Sequence, residues 1–253
     1  MSRFTGGGPD IALMLVVVPA RNEQQRLPRA LAALDVAQSR LRARLVRPPG
    51  VRVVVVLDRC TDGSAGVVRQ WAPVESLSTD DGSVGTARRR GIEHGLSTAE
   101  VTAEQIWIAC TDADSAVPTD WLITQFEQAR AGTEMLLGTV RPDPDDLGER
   151  TMARWVGQHR LADGHPHVHG ANLGIRADTY LRAGGFPPVA AHEDRLLVET
   201  VRRSGGRVVS TGSSPVLTSG RLVGRAPEGF AQHLRELTRQ DALVPTVRRI
   251  ESS

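Results

Sequence analysis

Two carboxylates, Asp112 and Asp114, stand one residue apart directly after the apolar run Ile106–Cys110. Alternate side chains of an extended chain share a face, so both can address one ligand. A hard divalent cation, Mg2+ or Mn2+, takes one or two carboxylates and completes its shell with phosphate oxygens and water. The pair therefore suits a metal-bridged nucleotide diphosphate, with Asp114 and Asp112 as ligands. Asp-x-Asp is also common turn and capping chemistry, so the pair alone decides nothing. A second acidic pair, Glu193-Asp194, opens a segment of helical apolar spacing, where a helix amino end favours negative charge. Between the two pairs lie His159, His165, His167 and His169. In extended structure His167 and His169 share a face and could supply two zinc ligands. No third ligand accompanies them at a fixed spacing, so a strand lining a cleft is the preferred reading. Arg221 and Arg225 sit in the Gly-flanked run Ser219-Gly-Arg-Leu-Val-Gly-Arg225. That run reads either as a lid closing on the diphosphate or as an ordinary basic loop.

The elements that must position these groups follow from hydrophobic patterning. The run from Ile11 to Val18 is continuously apolar, as a parallel strand covered on both faces requires, and Pro19 stops it. Leu27, Leu31, Leu34 and Leu41 keep helical spacing behind Pro28. Val51 to Leu57 is a second strand, Thr61-Asp-Gly-Ser64 a helix-starting turn, and Val74 to Ser78 a short third strand. Ser83 to Leu96 reads as a helix with Ala87 and Ile92 inward and at least two of Arg88, Arg89 and Arg90 in solvent. Ile106–Cys110 is the fourth strand, ending in the carboxylates, and a helix follows Pro118. Strand and helix alternate throughout, which argues an α/β fold with a mostly parallel central sheet and helices on both faces. In such sheets ligands bind outside the carboxyl ends of the strands.

Further on, Met135 to Val140 reads as a fifth strand and Arg141 to Gly148 as a surface loop. Asp178 to Ala183 and the segment from His192 read as helices, Arg207 to Ser210 as a last strand, and Pro227 to Arg239 as a carboxy-terminal helix. The expected organisation is a flexible lead at 1–10, one domain at 11–225 and a helix and tail at 226–253. Within the domain, 11–132 forms the nucleotide-binding half and 133–225 the acceptor half.

Composition narrows the chemistry. The 253 residues suffice for one large domain, and 40% hydrophobic with 24% charged residues is ordinary for a water-soluble fold. A net charge of +2 demands no nucleic-acid partner. All 31 basic residues are arginine, so a Walker lysine, a Schiff-base lysine and a lysine general base are excluded. Two cysteines make no disulfide framework and fit a reducing compartment. The longest apolar run is too short to span a bilayer. The expected location is cytoplasmic, with peripheral membrane contact left open, as is a homodimer.

Five stretches taken together resemble the family 2 glycosyltransferases of GT-A fold. They are Val18-Pro-Ala-Arg-Asn-Glu23, Val56-Leu-Asp58, Gly85-Thr-Ala-Arg-Arg-Arg-Gly91, Thr111-Asp-Ala-Asp114, and Gly170-Ala-Asn-Leu-Gly174 followed by Glu193-Asp194. Order and spacing match over roughly residues 10–210. The resemblance implies that Pro19, Ala20, Arg21 and Glu23 form the nucleotide-sugar loop and that Asp58 contacts the base. It implies that Arg88 serves the diphosphate or base side, that Asp112 contacts the ribose, and that Asp114 holds Mg2+ or Mn2+. Arg221 and Arg225 complete the expected nucleotide set. Gly170, Asn172 and Glu193 are expected beside the donor sugar or acceptor, and Asp194 as the base of an inverting reaction. The implied activity is a hexosyltransferase-like transfer of a single sugar from a nucleotide diphosphate, a UDP-sugar first, to a small or lipid-linked acceptor.

The chain also departs from the family pattern. No tryptophan follows Trp155, which argues against processive polysaccharide synthesis. A histidine completing the metal shell has no matching context, with His192 and His233 as candidates. Inversion rests on Asp194 alone. A sugar-nucleotide nucleotidyltransferase is the nearest alternative, disfavoured because Pro-Ala-Arg-Asn replaces the usual Gly-rich basic signature. A non-catalytic nucleotide-sugar binder would be favoured if Asp194 faced away from the cleft. A dinucleotide oxidoreductase lacks its G-x-G-x-x-G.

Overall fold

The computed structural model describes residues 10–159, 161–224 and 230–242. The expectations for the amino-terminal lead, for Arg225 and for the last residues of the tail fall outside them. Along the chain run β1 (Leu13–Ala20), α1 (Leu27–Arg44), β2 (Gly50–Asp58), α2 (Ser64–Arg69), β3 (Glu75–Thr79) and α3 (Val84–Ser97). Next come β4 (Ile106–Cys110), β5 (Ser115–Ala116), α4 (Trp121–Arg130), β6 (Met135–Pro142) and α5 (Glu149–Gln158). The order closes with β7 (Leu173–Arg176), α6 (Ala177–Arg182), α7 (Glu193–Arg203), β8 (Val208–Thr218) and α8 (Phe230–Ala242).

The alternation of strand side chains divides the core in two. Met14, Val16 and Val18 of β1 join Val53, Val55 and Leu57 of β2 on one face, where α1 lays down Leu27, Leu31, Leu34 and Leu41. Leu15, Val17, Val54 and Val56 point the other way, against Ala87 and Ile92 of α3. Helix α3 lies so close to the sheet that a Cβ on Gly91 would come within 2.6 Å of Val17 and 2.7 Å of Val56. A third, smaller cluster of Trp155, Leu234 and Leu237 ties α5 to α8.

All eight strands form one sheet in the order β3-β2-β1-β4-β7-β6-β8-β5. The first four are parallel, β7 is antiparallel to both β4 and β6, and β6 pairs parallel with β8. Short β5, directly after the Asp-x-Asp pair, runs antiparallel to the end of β8, with Ser115 Oγ donating to Thr218 Oγ1 at 2.8 Å. This last pairing brings the loop after β8 alongside Asp114.

The α/β fold with a mostly parallel sheet is as the sequence implies, and three local readings change. His165 to His169 is irregular chain rather than a strand, leading into a tight turn at Gly170–Asn172. Both sides of the neighbouring strand β7 are already occupied, by β4 and β6, and Pro166 has no amide hydrogen to donate. Strand β8 is 11 residues long and continues well past Ser210, through a Ser/Thr/Gly-rich stretch that shows no apolar alternation. Helix α5 has no counterpart in the sequence reading. Among the described residues no helix is long and apolar enough to cross a membrane.

Candidate active site

The carboxyl ends of β1, β2 and β4, together with the chain beyond β8, enclose a cavity of about 190 Å3. After β1 the chain turns through Asn22 in the left-handed region, φ 55°. Two contacts anchor this turn to the chain beyond β2. Asn22 Oδ1 accepts from Thr61 N at 2.7 Å, and Glu23 N donates to Ser64 Oγ at 2.9 Å. Pro19, Ala20, Arg21 and Glu23 thereby line one wall. From β2, buried Asp58 accepts at Oδ1 from Gly82 N at 2.9 Å and from the Thr79 hydroxyl at 3.2 Å. Gly82 adopts φ +73°, a conformation that favours glycine, and so delivers Ser83 and Val84 at the start of α3 to the cavity.

Asp112 and Asp114 form the floor. Asp112 Oδ1 accepts from Arg88 Nη2 at 2.6 Å. Arg88 Nη1 donates to Glu193 Oε1 at 2.7 Å, so one buried guanidinium joins the first acidic pair to the second. Burial works against the Arg88 charge, but Asp112 and Glu193 together raise its pKa above an arginine's ordinary value. Burial pushes the Glu193 carboxyl up, with Arg88 opposing. The Asp114 carboxyl is pushed up to about 6, first by burial and then by the charge of Asp112, with Arg221 pulling the other way.

Arg221 is the cation at this spot. Its Nη2 lies 2.9 Å from Asp114 Oδ2 and 2.8 Å from Glu23 Oε1. Asp146 secures the backbone that carries it, accepting from Gly220 N at 2.8 Å, from Ser219 Oγ at 3.1 Å and from both Nη atoms of Arg26 at 2.9 and 3.0 Å. Gly220 permits this seating, since a Cβ there would meet the Asp143 carbonyl at 2.9 Å.

A second cavity, about 570 Å3, adjoins the first and shares Val84, Asp112, Ala190, Thr218 and Phe230 with it. Gly170, Glu193 and Asp194 lie on its walls. His192 initiates α7 with φ 63°, placing Asp194 in the first turn. Asp194 Oδ2 accepts from Gly170 N at 2.8 Å, and Oδ1 from Arg195 N at 2.7 Å. The carboxylate is thus fixed by backbone donors on two sides.

Measured against the sequence expectations, Pro19, Ala20, Arg21, Glu23, Asp58, Asp112, Asp114 and Arg221 share the first cavity, and Asp194, Glu193 and Gly170 the second. Two residues depart. Arg88 does not line the first cavity, because both its Nη groups are bound to carboxylates behind it. Asn172, expected beside the sugar, faces the core. Its Oδ1 accepts from Trp121 Nε1 at 2.8 Å, and its Nδ2 donates to the Thr139 and Ser214 carbonyls at 2.8 and 2.9 Å. Neither His192 nor His233 lines the cavity that holds Asp114. Sequence reasoning missed Gly82, Ser83, Thr218 and Phe230 as lining residues. Asp81-Gly82-Ser83, a turn and cap signature ahead of α3, was the available signal for the first two. No His, Cys, Asp or Glu group of three or more among the described residues makes a self-sufficient metal site. Asp112 and Asp114 nonetheless fit a hard cation that draws the rest of its shell from phosphate and water, being two oxygen donors at the cleft floor.

The model for glycosyl transferase family 2 matches residues 15–180. Among solved structures, the chain is similar to the mannosyltransferase PcManGT from Pyrobaculum calidifontis in complex with GDP-Man and Mn2+. The match has 20% identity and TM-score 0.59, covering 92% of this chain and 63% of that one. Glucosyl-3-phosphoglycerate synthase from Mycobacterium tuberculosis, in complex with Mn2+, UDP and glucosyl-3-phosphoglycerate, matches at 13% identity and TM-score 0.53, covering 90% of this chain and 77% of that one. TarS 1-349 of S. aureus matches at 14% identity and TM-score 0.54, covering 82% and 60%. The chain thus spans less than two-thirds of the length of several of these structures. No curated protein matches it in sequence. With a family model aligned over well over half its length on the expected GT-A architecture, the chain belongs to glycosyl transferase family 2.

Proposed function

We propose that this protein transfers a single glycosyl group from a nucleotide diphosphate sugar to a hydroxyl of a small or lipid-linked acceptor, with inversion at the anomeric carbon. The observation that carries this reading is the meeting of the two cavities at Asp112. Asp114 stands on one side of that junction and Asp194 on the other. The first cavity offers the carboxylates, the arginine and the strand-end loops that a nucleotide diphosphate needs, and the second offers a fixed carboxylate beside open space. Asp194 facing away from the cleft would have favoured a non-catalytic binder, and Asp194 lines the second cavity.

Asp58 and the turn around Arg21 and Glu23 receive the nucleoside, and Asp112 the ribose. Asp114, with Asp112, would hold Mn2+ or Mg2+, which as a Lewis acid supplies charge stabilisation for the departing diphosphate. The solved relatives with Mn2+ beside GDP-Man or UDP support that choice. Arg221 exchanges its contact with Asp114 for a diphosphate oxygen, for which a planar guanidinium is well shaped. Asp194 accepts the proton of the acceptor hydroxyl as that oxygen attacks the anomeric carbon from the face opposite the diphosphate. Arg88 and Glu193 touch no substrate in this scheme and hold Asp112 and the start of α7 in register.

A thermal-shift panel of UDP-, GDP- and dTDP-sugars, with and without Mn2+, tests the reading. A ligand at one hundred times its Kd stabilises by about 2.7 kcal/mol, on the order of 5 °C or more for a domain of this size. One nucleotide class is expected to give such a shift only with the metal. No shift with any of them sinks the assignment.

A further inference from the structure

Five of the protein's seven histidines, His159, His167, His169, His192 and His233, line the second cavity. We propose that this cavity binds a neutral polyhydroxylated acceptor, a sugar or simple glycoside hydrogen-bonded by the imidazole edges, and rejects acceptors that carry a phosphate or carboxylate. The inference rests on the glycosyltransferase reading and adds the class of acceptor to it.

The rings form a ladder. Trp155 stacks on His159 at 4.6 Å between centroids and 6° between planes, His159 on His167 at 5.6 Å, and His167 on His169 at 5.9 Å. Phe230 meets His169 edge-on at 6.3 Å. His165 stacks on His167 as well, at 5.7 Å, so the ladder meets a ligand with ring edges, and a pyranose offers a rim of hydroxyls that both donate and accept. A neutral imidazole answers the rim with one N–H and one lone pair. The tautomer of His159 follows from its contacts. Its Nδ1 is 2.9 Å from the Trp155 carbonyl oxygen, which can only accept, so Nδ1 carries the proton. Its bare Nε2 then accepts from His233 Nε2 at 3.1 Å. No third ligand joins these two in a metal-binding group among the described residues, so the contact is a hydrogen bond.

Charge points the same way. Burial pushes His159 and His167 down, and His169 down to about 3, with the neighbouring imidazoles adding to the effect. Apart from the histidines, the walls carry Arg88 and Arg195 against Asp112, Glu193 and Asp194, a formal net of one negative charge. Arg88 is engaged by two carboxylates, and Arg195 stands exposed at the mouth. An anionic acceptor group would lose its hydration beside Asp194, and the buried guanidinium of Arg88 already has both its Nη groups on carboxylates. The volume, about 570 Å3, is in the range of small-molecule sites.

The test is saturation-transfer NMR on the whole protein loaded with Mg2+ and the nucleoside diphosphate that the thermal panel selects. The neutral probes are methyl α-glucoside, methyl α-mannoside, N-acetylglucosamine and myo-inositol. Glucose 6-phosphate and 3-phosphoglycerate are the anionic ones. At least one neutral probe is expected to bind with its ring protons saturated, at least tenfold tighter than either anion. His167→Ala and His233→Ala are each expected to weaken it at least fivefold while nucleotide affinity stays within twofold. His167→Gln, which keeps the donor and acceptor capacity, is expected to retain more of the binding than His167→Ala. Tighter binding of an anionic probe overturns the proposal, as does silence from every probe on protein that binds the nucleotide. Failure of the nucleotide itself to bind strikes the glycosyltransferase reading instead.

Discussion

At the scale of single residues, the proposed function gives the two acidic pairs different work, and substitutions separate them. Asp194→Asn keeps the contact that Gly170 N makes but removes the proton acceptor. Nucleotide affinity should be unchanged while sugar transfer, read as nucleoside diphosphate release, falls by about 10²–10⁴-fold, the usual contribution of a general base. Arg88→Met removes the cation between Asp112 and Glu193 and leaves the buried Glu193 and the half-buried Asp112 uncompensated. Breaking a buried pair in this way costs roughly 3–5 kcal/mol, and a fall in denaturation midpoint of that size would confirm that Arg88 holds the site together from behind. Asn172→Ala orphans the Trp121 indole N–H and two carbonyls. About 1–3 kcal/mol per orphaned buried group makes this a folding defect, visible as a lowered Tm, before it is a catalytic one. Residue types at this scale were readable from the sequence, through the five stretches that carry the family resemblance. Their partners were not. Nothing in Gly-Ala-Asn-Leu-Gly says that the amide turns inward, because that depends on Trp121, Thr139 and Ser214, all distant in sequence.

At the scale of elements, the site depends on three joints. The first is α3 against β1 and β2, where glycine permits the close approach. Gly91→Ala should overpack Val17 and Val56 and destabilise by about 1–3 kcal/mol, measured by urea unfolding, with nucleotide affinity nearly unchanged in the folded fraction. The second is the loop after β8, which Asp146 and Arg26 fix so that Arg221 reaches Glu23 and Asp114. The third is the turn at His192 that aims Asp194. The parallel half of the sheet was legible because β1, β2 and β4 are largely apolar runs between helices of clear period. Strand β8 and the histidine segment were not. The former is polar along much of its length, since its pairing with β6 and β5 rather than burial holds it. The latter carries alternating residues but leads into β7, whose two sides are taken by β4 and β6.

At the scale of the whole molecule, two cavities share one wall because β5 pairs back onto β8 and draws the acidic floor, the post-β8 loop and α8 to the same end of the sheet. Helix α8 contributes Phe230 to both cavities and is held by the small core it forms with α5. Under the proposed function, that arrangement gives one cleft a donor end and an acceptor end. The most direct measurement is a calorimetric titration of the selected nucleoside diphosphate with Mn2+ into three proteins, the natural sequence, Asp114→Asn and Asp194→Asn. The natural protein and Asp194→Asn should bind alike, and Asp114→Asn should lose at least about tenfold in affinity, or some 1.4 kcal/mol. Equal binding by all three, or a loss in Asp194→Asn matching that in Asp114→Asn, would contradict the division of the cleft between a metal–diphosphate end and a base.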